Sequence, residues 1–187
     1  MSEIDARREA VAQSTGQEPG QEPGQESGQE SGQLSGDADP LHLANQICFA
    51  VYSAAHAFNR IYKPLLDRIG LTYPQYLVLL LLWEEDGQTM KTLGQRLYLD
   101  SGTLTPLLKR LEAAGLVTRA RDAADERLMR ISLTEAGASL REKARPFPDE
   151  IVCASGRPAE RLVALRDEIL ALRDNLHACA APDRGAA

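Results

Sequence analysis

At 187 residues, 43% of them hydrophobic, the chain can bury a sizeable core, as one domain with an appendage or as two small ones. Its longest apolar run, Tyr76 to Trp83, is far short of the ~20 residues of a membrane span, and no secretory leader opens the sequence, so a cytoplasmic protein is expected. The net charge of −6 argues against a nucleic-acid partner only until it is located: residues 1–39 carry −7, whereas Gln88 to Thr134 carries eight basic against five acidic side chains.

Residues 16–36 read GQEPGQEPGQESGQESGQLSG, a four-residue repeat with Leu34 as its one aliphatic side chain. Such a stretch cannot bury enough apolar surface to offset chain ordering, so residues 1–39 are expected to form a disordered acidic tail. The folded domain is expected over 40–179, with a flexible end at 180–187. From Leu43 the apolar residues Ile47, Val51, Ala54, Phe58 and Ile61 recur at three- and four-residue intervals, predicting a long amphipathic helix over about 41–68. Pro64 is expected to disturb its end and Gly70 to close the next short piece. Thr72-Tyr73-Pro74-Gln75 then has the pattern of a capping box, opening a helix apolar nearly all round and hence destined for the core.

Thr89 can cap a short helix carrying Met90, Leu93 and Leu97. After the turn at Asp100-Ser101-Gly102 a second helix runs to Ala114, with Gly115 just past its end. Two compact helices joined by a short Gly-containing turn match a helix-turn-helix. Leu116–Arg121 and Arg127–Leu133 read as strands around a polar turn, which supplies a wing. The fold expected is therefore mainly α with a small β-hairpin: a winged helix-turn-helix over about 72–134. Helices over about 41–68 and 135–179, the second interrupted at Pro146 and Pro148, flank it. Leu162, Leu165, Ile169, Leu172 and Leu176 form a coiled-coil-like seam that needs a partner face, so a homodimer is expected.

In the second helix of the motif, Leu104, Leu107, Leu108 and Leu111 share one face. Thr105, Pro106, Lys109 and Glu112 lie opposite, flanked by Thr103 and Arg110, and Ser101 at the start of the helix is a further DNA-binding candidate. Taken alone, such a face is an ordinary solvated surface; in a helix-turn-helix followed by a hairpin it becomes a DNA-reading face. Its hydroxyls would meet base edges or phosphates, and Lys109 and Arg110 the backbone of double-stranded DNA. Pro106 removes a helical hydrogen bond if Ser101 is the N-cap, and is harmless if Thr103 is. At the wing tip, Asp125 either orients the guanidinium of Arg127 toward a narrow minor groove or makes a local surface ion pair of little consequence.

The segment LDSGTLTPLLKRLEAAGLVTRARDAADERLMRISLTEAG, Leu99 to Gly137, resembles the winged-helix core of the MarR family of bacterial regulators, and more narrowly the two-cysteine organic hydroperoxide resistance regulators. The resemblance spans Leu41 to about Leu176. Ile47-Cys48-Phe49-Ala50-Val51-Tyr52 is similar to the start of the opening helix in peroxide-sensing members, which carry a reactive cysteine there. Tyr62 and Tyr73 match tyrosines that bond the reactive sulfur in such sensors, and Cys153 lies where the two-cysteine branch has its resolving thiol. The resemblance implies a transcriptional repressor, not an enzyme, whose Cys48 is oxidised by an organic hydroperoxide in an apolar pocket with residues such as Phe49 and Leu77. Condensation with Cys153 of the partner subunit would then release operator DNA.

Residue spacing adds one independent constraint. Cys48 and Tyr62 are separated by roughly 21 Å along a continuous helix, so a contact between them has to cross between subunits. Two other readings stay open: a regulator released by a non-covalent phenolic ligand, with Cys48 a passive core residue, and a thiol peroxidase. A pure interaction module built on the C-terminal seam leaves the basic wing unexplained. Cys179 reads as an incidental thiol, and neither the cysteines nor His42, His56 and His177 have metal-ligand spacing, so no cofactor is expected.

Overall fold

A computed structural model of the chain describes residues 39–122 and 125–180. The acidic repeat, the last seven residues and Ala123-Ala124 of the wing turn lie outside the described residues, and with them, save for Asp39 and Ala180, the expectations of a disordered tail over 1–39 and a flexible end over 180–187. By its contacts the chain divides into two units, 1–45 and 46–187. In the first, Leu43–Asn45 forms a single 3-10 turn, and the Asp39 carbonyl accepts from His42 N–H (2.9 Å) and Asn45 Nδ2 (3.0 Å).

The second unit opens with α1, Ile47–Asp67. The first helix therefore starts later than the periodicity suggests, because Gln46 is extended (φ −88°, ψ 112°) and Leu43 falls in the separate turn. Pro64 does not break α1, which continues for three more residues. It sits near the C-terminal end, where its missing N–H leaves the Arg60 carbonyl without its helical donor and only one further turn follows. Only Leu65 and Leu66 of α1 are buried; Ile47, Phe49, Val51, Tyr52, Phe58 and Ile61 stay exposed in the single chain. The capping box forms as its residues predict: Thr72 N–H donates to Gln75 Oε1 at 2.8 Å and starts α2, Tyr73–Glu84. As expected of a helix apolar all round, α2 is the central element, burying Tyr76, Val78, Leu79, Leu81 and Leu82.

Next come β1 (Gln88–Thr89), α3 (Met90–Leu97) and α4 (Ser101–Ala113), then β2 (Val117–Arg121) and β3 (Met129–Leu133). The hairpin is antiparallel with Val117 opposite Leu133 and Arg121 opposite Met129, and Val117 and Ile131 point into the core. Position 127, read as the start of the second strand, lies instead in the turn, because Leu128 N–H closes it onto the Asp125 carbonyl at 2.9 Å. β1 adds a third strand, giving the order β1-β3-β2. At two residues it is too short to show any alternation in sequence.

Beyond the wing, Thr134 joins three elements. Its Oγ1 accepts from Gly137 N–H (3.0 Å) to cap α5, Glu135–Ala144, while its hydroxyl donates to the carbonyl of Gly115 (2.7 Å) and its N–H to that of Leu116 (3.1 Å). Gly137 packs so tightly here that a Cβ would lie 2.0 Å from the Leu116 carbonyl oxygen, and its own carbonyl accepts from Trp83 Nε1 at 3.0 Å. Pro146 and Pro148 mark the break before α6, Phe147–Ser155. Arg68, after α1, pins that break by stacking over Phe147 (5.2 Å) and pairing with Glu150 (2.6 Å). The last helix, α7, runs Ala159–Ala180 and buries no residue; Leu165, Ile169, Leu172 and Leu176 of the predicted seam are exposed. No described helix is long and apolar enough to cross a membrane.

Candidate functional site

The expected reading helix is α4, and its four leucines are buried, Leu104, Leu108 and Leu111 almost completely, against α2, α3 and the hairpin. Burying that stripe fixes what remains outside: Ser101, Thr103, Pro106, Lys109 and Arg110 are exposed and Thr105 is half-buried. The N-cap is neither Ser101 nor Thr103 but Asp100. Its Oδ1 accepts from Thr103 N–H and its Oδ2 from the Thr103 hydroxyl, both at 2.9 Å, and these bonds hold its carboxyl below the usual range, the backbone bond contributing most. With the cap at Asp100, Pro106 is the sixth helical residue, so the Gly102 carbonyl loses its helical donor. The Thr105 hydroxyl donates to the Ser101 carbonyl (2.6 Å), so of the three hydroxyls only that of Ser101 makes no hydrogen bond among the described residues.

At the wing, Asp125 holds position 127 by a different route from the one expected: its Oδ1 accepts from the backbone N–H of Arg127 at 3.0 Å, not from the guanidinium. The carboxylate that pairs with an arginine is Asp122, which takes Arg130 Nε at 2.7 Å and a second, shorter bond from Nη2; Arg130 Nη1 reaches the Gly87 carbonyl. This buried carboxylate ties the root of the wing to the turn before β1. Sequence reading missed it because Asp122, Asp125 and Glu126 are equivalent in a polar turn. The usable signal was that Asp122 and Arg130 flank the hairpin at positions able to share one face.

Of the eight basic side chains between Gln88 and Thr134, three are engaged: Arg96 with Glu84, Arg119 with Glu112 and Arg130 with Asp122. Lys91, Lys109, Arg110, Arg121 and Arg127 make no ion pair among the described residues. A cleft of about 720 Å³ runs between α3, the start of α4 and the wing, bringing Ser101 and Arg127 to one surface with Lys91. Cations such as Lys91 and Arg127, which line this cleft without an ion pair among the described residues, can accept a polyanion without first breaking internal pairs.

The second cluster is aromatic. Tyr62 of α1 and Tyr73 of α2 meet with ring centroids 4.9 Å apart, and Tyr76 lies 5.9 Å from Tyr62. Burial, then the neighbouring Tyr76 and Tyr73, pushes the Tyr62 phenol up to about 12; burial also raises Tyr73. Both hydroxyls therefore remain protonated near neutral pH and can donate. Cys48 is the second residue of α1, at the opposite end from Tyr62, and roughly 21 Å away along the axis. It is an exposed free thiol, as are Cys153 on α6 and Cys179 on α7. The structure thus unites the two predicted tyrosines and keeps them apart from Cys48 of the same chain. Phe49 stacks on Tyr52 (6.5 Å) on the exposed face of α1, and Leu77 is half-buried on α2.

Comparison with known proteins fits this architecture. The family described as Transcriptional regulator SarA/Rot matches residues 60–144. The HTH-type transcriptional regulator TtmR of Methylorubrum extorquens is 55% identical over 75% of the chain and 72% of its own length. The Organic hydroperoxide resistance transcriptional regulator of Bacillus subtilis is 50% identical over 74% of the chain and 95% of its own length. Among solved structures, reduced AbfR bound to DNA is 39% identical with a TM-score of 0.59, covering 73% of this chain and 95% of that one; AbfR comes from Staphylococcus epidermidis. The winged helix, the tyrosine pair and these relatives lead to one assignment: the chain belongs to the MarR family of transcriptional regulators, in the branch of the organic hydroperoxide resistance regulators.

Proposed function

We propose that this regulator is a homodimeric repressor that binds double-stranded operator DNA through α4 and the wing and lets go when an organic hydroperoxide oxidises Cys48. The observation that carries the reading is the tyrosine pair. Tyr62 and Tyr73 present two protonated hydroxyls at one end of α1, while Cys48 sits in the first turn at the other end of the same helix. A second copy running the opposite way brings its own Cys48 to those donors. The uncovered apolar residues of α1 (Ile47, Val51, Phe58, Ile61) and of α7 (Leu165, Ile169, Leu172, Leu176) supply the surface that such a copy would bury.

On DNA, the exposed edge of α4 enters a major groove: Ser101, Thr103, Thr105 and Pro106 meet base edges and sugar-phosphate, and Lys109 and Arg110 neutralise phosphates. Arg127 reaches the adjacent minor groove from a wing tip held by Asp125 through the backbone. In the redox step the Cys48 sulfur, having released its thiol proton, attacks the terminal peroxide oxygen; the O–O bond breaks, that oxygen keeps its hydrogen and becomes the sulfenic acid on sulfur, and the leaving alkoxide takes up the proton the thiol released and departs as the alcohol. The thiol of Cys153 of the partner subunit then displaces hydroxide from that sulfur, giving a disulfide and water. Since the Cα atoms of a disulfide lie about 4.4–6.8 Å apart, closing it moves α1 and α6 and takes the two winged helices out of step with successive grooves. Cys179 plays no part.

The test is a mobility shift at fixed salt with duplex DNA from upstream of the protein's own gene, with and without cumene hydroperoxide. Wild type is expected to release DNA on oxidation, whereas Cys48→Ser stays bound. Release of Cys48→Ser at the wild-type peroxide concentration would sink the mechanism.

A further inference from the structure

We propose that Met90 and Met129 form a second oxidant-responsive site: an organic hydroperoxide in excess converts their thioethers to sulfoxides, which loosens the wing from α3 and weakens DNA binding without the help of any cysteine. The inference rests on the DNA-binding reading above and is independent of Cys48.

The chain has three methionines, Met1, Met90 and Met129, so the described residues hold two. Neither belongs to the buried core, which is built of Leu, Val, Ile, Ala, Phe and Tyr. Both are half-buried against its edge, and both line the cleft between α3, the start of α4 and the wing, where solvent reaches them. The strand register brings the two positions together. β1 and β3 pair as Gln88 with Ile131 and Thr89 with Arg130, so one step further along position 90 comes beside position 129. Met129 shares the inward face of β3 with the buried Ile131, two residues on, and Met90 is the first residue of α3. Two thioethers thus sit where the first helix of the motif meets the sheet that carries the wing.

That position gives oxidation its consequence. Lys91 follows Met90 directly and Arg127 lies two residues before Met129, so each methionine seats a segment that carries a cation toward the cleft. Leu99, Leu104 and Leu128 complete the apolar wall. A sulfoxide puts a strong acceptor oxygen into this wall, and its hydration is kept only if the side chain turns out to water, which opens the seam between α3 and β3. Packing alone does not call for sulfur at both positions, because leucine and methionine exchange with little loss in most apolar sites.

The chemistry needs no thiolate. The thioether sulfur attacks the terminal oxygen of the hydroperoxide and the O–O bond breaks. That oxygen stays on sulfur, its proton passes to the leaving alkoxide, and the alcohol departs; sulfur gives up two electrons and the peroxide takes them. An uncharged thioether is a weaker nucleophile toward peroxide than a thiolate, so this site answers doses above those that consume Cys48.

The test uses the full chain carrying Cys48→Ser/Cys153→Ser/Cys179→Ser, treated with a large excess of tert-butyl hydroperoxide and then freed of reagent. Peptide mapping reads the gain of about 16 Da at each methionine and separates both from Met1. Fluorescence anisotropy reads the affinity for a labelled duplex from upstream of the protein's own gene. Treated protein is expected to bind about tenfold more weakly than untreated protein, and methionine sulfoxide reductases A and B to reverse the loss. Adding Met90→Leu/Met129→Leu to the same chain should leave treated and untreated protein with equal affinity. Sulfoxide at both positions with no loss of affinity overturns the proposal, as does an equal loss in the leucine variant. So does a pair of methionines that stays unmodified at a dose that fully converts N-acetylmethionine in the same tube. If the untreated protein binds no duplex, the DNA-binding reading falls and takes this consequence with it.

Discussion

Replacing Gly137 with alanine isolates one contact that holds the wing to the body of the protein. In most helices the change would stabilise, because alanine is favoured over glycine by about 1 kcal/mol. Here the new methyl would stand 2.0 Å from the Leu116 carbonyl oxygen and 3.0 Å from its carbon, both backbone atoms that no rotamer change can move. Relief requires the start of α5 to back away from the β2 end of the hairpin. That motion pulls on the Thr134 cap and on the Trp83 bond to the Gly137 carbonyl. Overpacking costs ~1–3 kcal/mol, the cap ~1 kcal/mol and the indole bond ~1 kcal/mol, against the ~1 kcal/mol gain in propensity. The expected net loss is about 2–4 kcal/mol, which lowers Tm by roughly 4–16 °C for a domain of this size. Urea and thermal unfolding at one fixed protein concentration measure it, the concentration mattering because the proposed dimerisation would be linked to folding. A Gly137→Ala protein as stable as wild type, or more so, would refute the close approach.

Two further outcomes follow from the same geometry. Because the Tyr62 phenol ionises at about 12 in the folded chain and near 10 when unfolded, the native state holds its proton more tightly; its contribution is complete below about pH 10 and is lost as pH rises toward 12. Stability should fall across that interval, and Tyr62→Phe should flatten the fall; an identical alkaline profile for the variant would contradict it. Asp122→Asn keeps the size of the side chain but removes the charge that faces Arg130 from a buried position, so a loss of ~1–3 kcal/mol and weaker duplex binding are expected, whereas an unchanged urea midpoint would show that the pair does not hold the wing root.

Legibility in the sequence tracked how local each determinant is. The α4 leucine stripe and the Thr72–Gln75 box depend on residues within a few positions of one another and appear as read, and the hairpin forms where it was read, with its second strand starting at Met129 rather than at Arg127. The misreadings arise where several local solutions compete. Asp100, Ser101 and Thr103 are all good caps; the structure chooses Asp100, whose carboxylate takes both the amide and the hydroxyl of Thr103. Asp122, Asp125 and Glu126 look alike in a turn, and only burial against Arg130 separates the first from the others. β1 exists because β3 offers it a partner more than 40 residues away, which no window around Gln88 contains. The family resemblance supplied the tyrosines, but the raised Tyr62 phenol comes from the packing of three rings on two helices. The stacking of His177 on Tyr98 joins positions nearly 80 residues apart and leaves no periodic trace.

Thr134 has a mechanical consequence. One side chain and one amide connect the end of the reading helix, the base of the hairpin and the first turn of α5, with no spacer between them. A torque arriving along α5 is thus delivered to the whole reading head at once and cannot bend the hairpin against the helix. In the homodimer proposed above, regulation through such a joint would alter the spacing and tilt of two stiff heads and leave the recognition surface of each intact. Sequence preference and responsiveness to inducer can then drift separately in descendants of this chain: the first by substitutions along one exposed helical edge, the second by substitutions at the far ends of long helices.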